Sequence, residues 1–155
     1  MVDIAESSKV LQESLGSSGA CELIRTLLTT QIHNPIICEA ALLALSRMCR
    51  REQDQYFTAC VPNIARFGDA GACPQIIAVM QYHIKNANVV VASLKSIANM
   101  SSMTQSNKTS LREAGCCETV VQALKTHLRV PVIAEQSCWV MTFLACDHPE
   151  NKVKM

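Results

Sequence analysis

A ten-residue phrase occurs three times in this chain, as LGSSGACELI at residues 15–24, FGDAGACPQI at residues 67–76 and LREAGCCETV at residues 111–120. In each copy a glycine is followed by a cysteine two positions later and by an aliphatic residue five positions later. The apolar positions downstream keep the same spacing without a gap. The last of them are Met48, Met100 and Leu144. Internal repetition of this kind predicts an array of similar structural units.

The repeat period is 44 residues over most of the chain. Asparagine recurs at this interval, at Asn63, Asn107 and Asn151. Gly19 and Gly71 are 52 residues apart, however, so about eight extra residues lie within residues 50–61. We expect a single domain over residues 1–155, with repeats at about 11–62, 63–106 and 107–150 and the start of a fourth at 151–155.

Each repeat is predicted to contain three helices. The first is short and ends at the glycine, which can adopt the left-handed conformation that terminates a helix. The second, for example from about Cys117 to His127, has apolar residues at helical spacing. The third begins near Pro35, Asn88 or Pro131 and is apolar on nearly all sides, as is typical of a buried helix. Its small residues are expected to allow close packing, namely Ala40, Ala41, Ala92, Ser93 and Ser137.

A unit of about 44 residues with three helices, a glycine between the first two and a long buried third helix resembles the armadillo repeat. The resemblance extends from about Leu11 to Met155. The third-helix pattern of that family, Trp-Ala-Leu-x-Asn, is represented by Trp139 at its Trp position and Asn99 at its Asn position. The remaining copies of these two positions hold Leu43, Lys95, Arg47 and Phe143. HEAT repeats are the alternative, but they usually have two helices and lack this glycine turn.

The resemblance implies an all-α fold, a right-handed α-solenoid of armadillo-like three-helix repeats whose third helices line a concave groove. Residues four apart lie on the same side of a helix. The candidate partner-binding residues are therefore three stripes: Glu39, Leu43 and Arg47; Val91, Lys95 and Asn99; Glu135, Trp139 and Phe143.

Each stripe suggests a role in binding. Trp139 and Phe143 would hold an apolar anchor of the partner, and Asn99 would bond a peptide backbone, as its counterpart does in the family. The charged members, Arg47, Lys95, Glu39 and Glu135, would set charge complementarity. The alternative is that Trp139 and Phe143 belong to the core, although polar residues at the aligned positions favour exposure.

The nine cysteines are an odd number in a chain without a recognisable export signal, which favours reduced thiols in a cytosolic protein. Cys21, Cys73 and Cys117 occupy one repeat position, where neighbouring helices about 8–10 Å apart are too distant for a disulfide or a shared zinc ion. We expect these three to be buried small residues. Cys38, Cys138 and Cys146 are expected to pack within third helices. Cys49 and Cys60 are the best candidates for reactive thiols.

His83 and His127 also share a repeat position, near the end of a second helix, where the helix dipole favours a cation. No Ser-His-Asp order, nucleophile elbow, phosphate loop or dinucleotide fingerprint is present, so we expect no catalysis, no cofactor and no metal site. The net charge of +1 and the short pair Arg50 and Arg51 argue against nucleic-acid binding. No apolar run is long enough to span a membrane.

These observations predict a cytoplasmic protein, with the nucleus also possible, that binds a peptide or partner protein along the groove as a non-catalytic interaction module or scaffold. One alternative is a structural segment that self-associates through uncapped ends, because solenoids need polar capping repeats and no clear polar cap is visible. The other is a cysteine-based redox or metal sensor.

Overall fold

The computed structural model describes residues 4–50, 60–102 and 104–146, with side chains from residue 10 onward. These residues form nine α-helices and contain no β-strand, which confirms the predicted all-α class for this part of the chain. The helices are α1 (Ile4–Ser17), α2 (Ala20–Thr30), α3 (Pro35–Met48), α4 (Val61–Asp69), α5 (Ala72–Tyr82), α6 (Ala87–Ser101), α7 (Gln105–Glu113), α8 (Cys116–Thr126) and α9 (Pro131–Ala145).

Each copy of the repeat contributes three helices, although α1 begins at Ile4, before the predicted start of the first repeat. We call α1–α3, α4–α6 and α7–α9 the first, second and third units. The second unit contacts the first through the pairs α1–α4, α2–α5 and α3–α6. The third unit contacts the second through α5–α8 and α6–α9. The contacts of α6 with α3 and with α9 are the most extensive between helices, so the three third helices lie side by side with α6 in the middle.

A glycine in the left-handed conformation separates the first and second helices of each unit. The φ angles of Gly19, Gly71 and Gly115 are +86°, +77° and +82°. Each glycine is the residue immediately before the second helix. The glycine turn expected from the sequence is therefore present in all three units.

Asparagine caps two of the third helices. The Oδ1 atom of Asn34 accepts hydrogen bonds from the backbone N–H groups of Ile36 and Ile37, at 3.1 and 3.3 Å. Asn86 caps α6 in the same way. The N-cap residue of α9 is Val130, whose side chain cannot cap the helix. Pro131 is the first residue of that helix. The starting points thus agree with the predicted ones to within a residue.

The three third helices are not equally buried. On α6, which has a neighbour on each side, ten residues are buried, including Ala92 and Ser93. On α9 only Ile133, Ser137, Val140 and Leu144 are buried. The prediction of a helix buried on nearly all sides therefore holds for α6 but is wrong for α9. Ala40 on α3, one of the small residues expected to pack closely against another helix, is also exposed.

A buried asparagine ties the second unit to the first. Asn63 on α4 is completely buried, with an exposed fraction of 0%. Its side-chain amide nitrogen donates to the carbonyl oxygens of Gln12 on α1, at 2.8 Å, and of Met48 at the end of α3, at 3.3 Å. One side chain thus fixes the position of α4 against two helices of the preceding unit.

Asn107 repeats this arrangement at the next junction. Its amide nitrogen donates to the carbonyl oxygens of Ile64 on α4 and Met100 on α6, both at 3.2 Å. Ile64 and Met100 align with the two acceptors used by Asn63. The 44-residue asparagine period is therefore a junction signal. Asn151, its third member, lies outside the described residues.

Glycine on the preceding unit makes room for each asparagine. A Cβ atom placed on Gly16 would overlap Oδ1 of Asn63, and one placed on Gly68 would overlap Oδ1 of Asn107. In the third unit the aligned position holds Arg112. An asparagine could not occupy the same place against that residue, so a following unit would need a different contact at this point.

The two aligned histidines also join successive units. Nε2 of His83 lies 2.7 Å from the carbonyl oxygen of Ile32, and Nε2 of His127 lies 2.8 Å from that of Ile84. A carbonyl oxygen can only accept, so each Nε2 carries the proton. Each histidine therefore makes a specific hydrogen bond to the loop of the preceding unit, which the sequence did not predict.

We predict that Gly71→Val lowers the free energy of unfolding by about 1–2 kcal/mol, because a β-branched residue is strained at positive φ. No atom lies within 4 Å of a Cβ at this position, so the loss would arise from the backbone alone. Urea denaturation followed by circular dichroism measures it. Gly71→Asn, which tolerates this conformation, is the control and should lose less.

We predict that Asn107→Asp destabilises the protein by about 2 kcal/mol or more, because a carboxylate cannot donate to the two buried carbonyl groups. The substitution preserves the shape of the side chain. Asn88→Asp is the matched control, since Asn88 is exposed in the first turn of α6. Equal unfolding midpoints for the two variants would show that the Asn107 junction contributes nothing to stability.

Candidate partner-binding groove

A pocket of about 410 Å³ lies on the surface formed by the C-terminal halves of α3 and α6, next to α9. It contains four of the nine candidate residues. The lining consists of Leu43, Ser46, Arg47, Arg50, Lys95, Ala98, Asn99 and Gln136. The packing of α3 against α6 therefore brings the stripes of the first two units together at their C-terminal ends.

The lining is positively charged. Arg47, Arg50 and Lys95 contribute three cations, and none of the described residues that line the pocket is acidic. Sequence reasoning missed Arg50, which lies two residues after Met48, the last residue of α3. Arg50 lies three residues after Arg47, so the two would share one side of α3 if that helix continued to Arg50. This spacing was the signal that could have identified it.

Asn99 is already hydrogen-bonded within the fold. Its amide nitrogen donates to the carbonyl oxygen of Ser46, at 2.8 Å, and to the Ser46 hydroxyl, at 3.0 Å. Asn99 thus joins α6 to α3. The expected bond to a peptide backbone must therefore use Oδ1, which would accept a hydrogen bond from a peptide N–H.

Trp139 lies at the surface and is not a core residue. Its side chain is 52% exposed, and its ring stacks on that of Phe143 with centroids 6.0 Å apart and an interplanar angle of 24°. Phe143 is half-buried. Gln136, three residues before Trp139 and so on the same side of α9, reaches the pocket. The aromatic pair therefore adjoins the cationic pocket.

The remaining candidates lie toward the N-terminal ends of the third helices and do not line the pocket. Glu39 and Val91 are half-buried, and Glu135 is exposed. The described stripes thus carry glutamates toward the N-terminal ends of the third helices and cations toward the C-terminal ends of α3 and α6. The order of the charges follows from the position of each residue along its helix. The grouping of the cations, in contrast, depends on the tertiary contact between α3 and α6.

The three cysteines that share one repeat position are buried as expected. Cys21, Cys73 and Cys117 are each at most 2% exposed. Burial raises the pKa of Cys21 to about 11 and that of Cys73 to about 12. Both thiols are therefore protonated and unreactive near neutral pH. They act as small apolar residues.

The expectation that Cys49 and Cys60 are reactive is wrong, because both are buried, at 0% and 5% exposure. The Sγ atom of Cys49 packs 3.9 Å from Sδ of Met100, and burial raises its pKa well above the usual range. Cys138 and Cys146, expected to pack within the fold, are instead exposed. The difference arises because no described helix covers the outer side of α9.

Two further features bear on the class of function. Among the residues that the structure describes, no three histidine, cysteine or acidic side chains are grouped so that they could hold a metal ion. No helix within the same residues is both long and apolar enough to cross a membrane. A comparison with known proteins found no family model that matches the chain and no curated protein sequence with significant similarity to it.

We predict that Cys138 is alkylated by iodoacetamide in the native protein and that Cys49 is alkylated only after unfolding, because a buried, protonated thiol cannot react. Peptide mass spectrometry after timed quenching measures the two rates. The same reaction in urea is the control and should label both. Comparable alkylation rates of Cys49 and Cys138 in the native protein would show that the α3–α6 interface opens readily.

Proposed function

We propose that this chain is a non-catalytic protein-binding module or scaffold, built as a right-handed solenoid of armadillo-like repeats, which binds a partner along its third helices. Two features support the architecture: the three-helix units with left-handed glycine turns, and the contacts of the second and third helices with their counterparts in the next unit. The junctions made by Asn63 and Asn107 use the same acceptor positions, as expected of an array with a constant geometry.

The observation that carries the proposed binding function is the exposed Trp139, stacked on Phe143 beside the cationic pocket. Aromatic and arginine side chains contribute most of the binding energy in many protein interfaces. A ring 52% exposed to water gains free energy when a partner covers it. Removal of this ring should therefore weaken binding more than it weakens the fold.

We expect the ligand to be an extended peptide. Leu43 and Ala98 offer apolar contact, while Arg47 and Lys95 offer charge-assisted hydrogen bonds to carboxylates. The Oδ1 atom of Asn99 would accept from the peptide backbone. The preferred ligand would place acidic residues over the pocket and an apolar residue over Trp139.

The proposed module performs no catalysis and needs no cofactor, and it acts in the cytoplasm or the nucleus. Free thiols favour such a reducing compartment. Those in the structure include Cys21, Cys38, Cys49, Cys73, Cys116 and Cys138. A cysteine-based sensor is the weaker candidate, because every one of these thiols except Cys138 is buried.

A random-peptide display selection on the immobilised chain tests this function. We predict that the enriched peptides contain Asp or Glu together with an apolar residue. Trp139→Ala should weaken binding of such a peptide about 30-fold, equivalent to about 2 kcal/mol, with little change in Tm. Fluorescence anisotropy measures the affinity. Tyr82→Ala removes an aromatic ring that is 54% exposed outside the groove, and it should bind normally.

Charge reversal tests the pocket separately. Arg47→Glu combined with Lys95→Glu should abolish binding of acidic peptides and, in a new selection, enrich basic ones. If peptides are enriched but neither this variant nor Trp139→Ala binds them differently, the binding surface lies elsewhere on the protein. If no peptide is enriched, the peptide-binding proposal is wrong.

A further inference from the structure

The first unit presents an apolar face that no described helix covers. Leu15 on α1 and Leu23 and Leu27 on α2 are 51%, 65% and 43% exposed. Leu11, one turn before Leu15, is 63% exposed. A repeat unit whose outer face is in contact with water usually carries polar residues on that face. Leucine at these positions indicates a face that is covered by protein.

The other two units show what covers such a face. Leu15 aligns with Phe67 and Leu111, and both are 0% exposed. Leu27 aligns with Val79, which is also 0% exposed. These positions are buried where α4 and α5 pack on the first unit, and where the third unit packs on the second.

The residues aligned with Leu23 in the second and third units make direct contacts across both junctions. Its counterpart Gln75 donates from Nε2 to the carbonyl oxygen of Leu28 in the preceding unit, at 3.0 Å. Its counterpart Thr119 accepts from Nε2 of Gln81 in the preceding unit, at 2.9 Å. The exposed leucines of the first unit therefore occupy the positions by which a unit docks on the one before it.

The third unit exposes the complementary side of the same junction. Cys138 on α9 is exposed, whereas its counterparts Leu42 and Leu94 are 0% exposed beneath the next third helix. Thr142 is also exposed, whereas its counterpart Ala98 is 8% exposed. One chain thus carries both halves of the unit-to-unit interface, each of them uncovered by the described residues.

We propose that the face formed by Leu15, Leu23 and Leu27 binds a second copy of this chain, whose α8 and α9 pack on α1–α3 as each unit packs on the one before it. This contact joins two different surfaces, so it is head-to-tail and can continue into longer assemblies. The net charge of +1 offers little electrostatic repulsion between copies. The interface uses the outer faces of the first and third units and leaves the cationic pocket open.

Sedimentation velocity of the 155-residue chain over a concentration series tests this inference. The parent should form progressively larger species as concentration rises. Leu23→Glu and Cys138→Glu should each remain monomeric where the parent associates, with a dissociation constant at least about tenfold larger, because each places a charge in an apolar contact. Both positions are exposed on helices, so the variants should keep the parent's circular dichroism spectrum.

Mixing the two variants gives the sharpest result. Each retains the face that the other has lost, so an equimolar mixture should form a one-to-one dimer and nothing larger. Ile36→Glu is the matched control: Ile36 is 77% exposed, and its counterparts Asn88 and Val132 are exposed as well, so it lies outside the junction. This variant should associate like the parent.

Three outcomes would overturn the inference. The parent could remain monomeric throughout the series into the millimolar range. Cys138→Glu could associate as the parent does, which would indicate pairing of two first-unit faces. The mixture of variants could stay monomeric although the parent associates, which would exclude a head-to-tail contact through these two faces.

Discussion

The structure depends on a buried amide that donates to two carbonyl groups of the preceding unit. Asn63 and Asn107 each reach the first helix and the end of the third helix of the unit before them. The side chain fits only because Gly16 and Gly68 lack a Cβ atom at the point of contact. A shift between units would leave buried donors and acceptors unpaired, at a cost of about 1–3 kcal/mol for each unpaired group.

This constraint also builds the candidate groove. With the units held in one register, Ser96 on α6 donates to the carbonyl oxygen of Leu42 on α3, at 2.9 Å, and Asn99 bonds to Ser46. These contacts set Lys95 beside Arg47 and form the cationic pocket. The candidate groove is thus a product of the junction between units.

The difference between α6 and α9 explains most of the surface chemistry. Among the described third helices, only α6 is enclosed by a third helix on each side. Trp139 and Cys138 are consequently exposed on α9, where the corresponding residues of the middle unit, Lys95 and Leu94, are half-buried and buried. A residue's environment in a stacked array depends on its neighbours as much as on its own unit.

The sequence by itself determined the helices, their number in each unit, the glycine turns and the positions that share a helix face. These properties are local or periodic, and they follow from backbone conformation and helical spacing. Only the tertiary structure decided that Asn63 and Asn107 join units, that Cys49 is inaccessible, that Arg50 belongs to the pocket and that Trp139 faces water. Each of these depends on which residues of another unit lie nearby. The period of one unit does not contain that information, because equivalent positions acquire different neighbours in the middle unit and in the two units beside it.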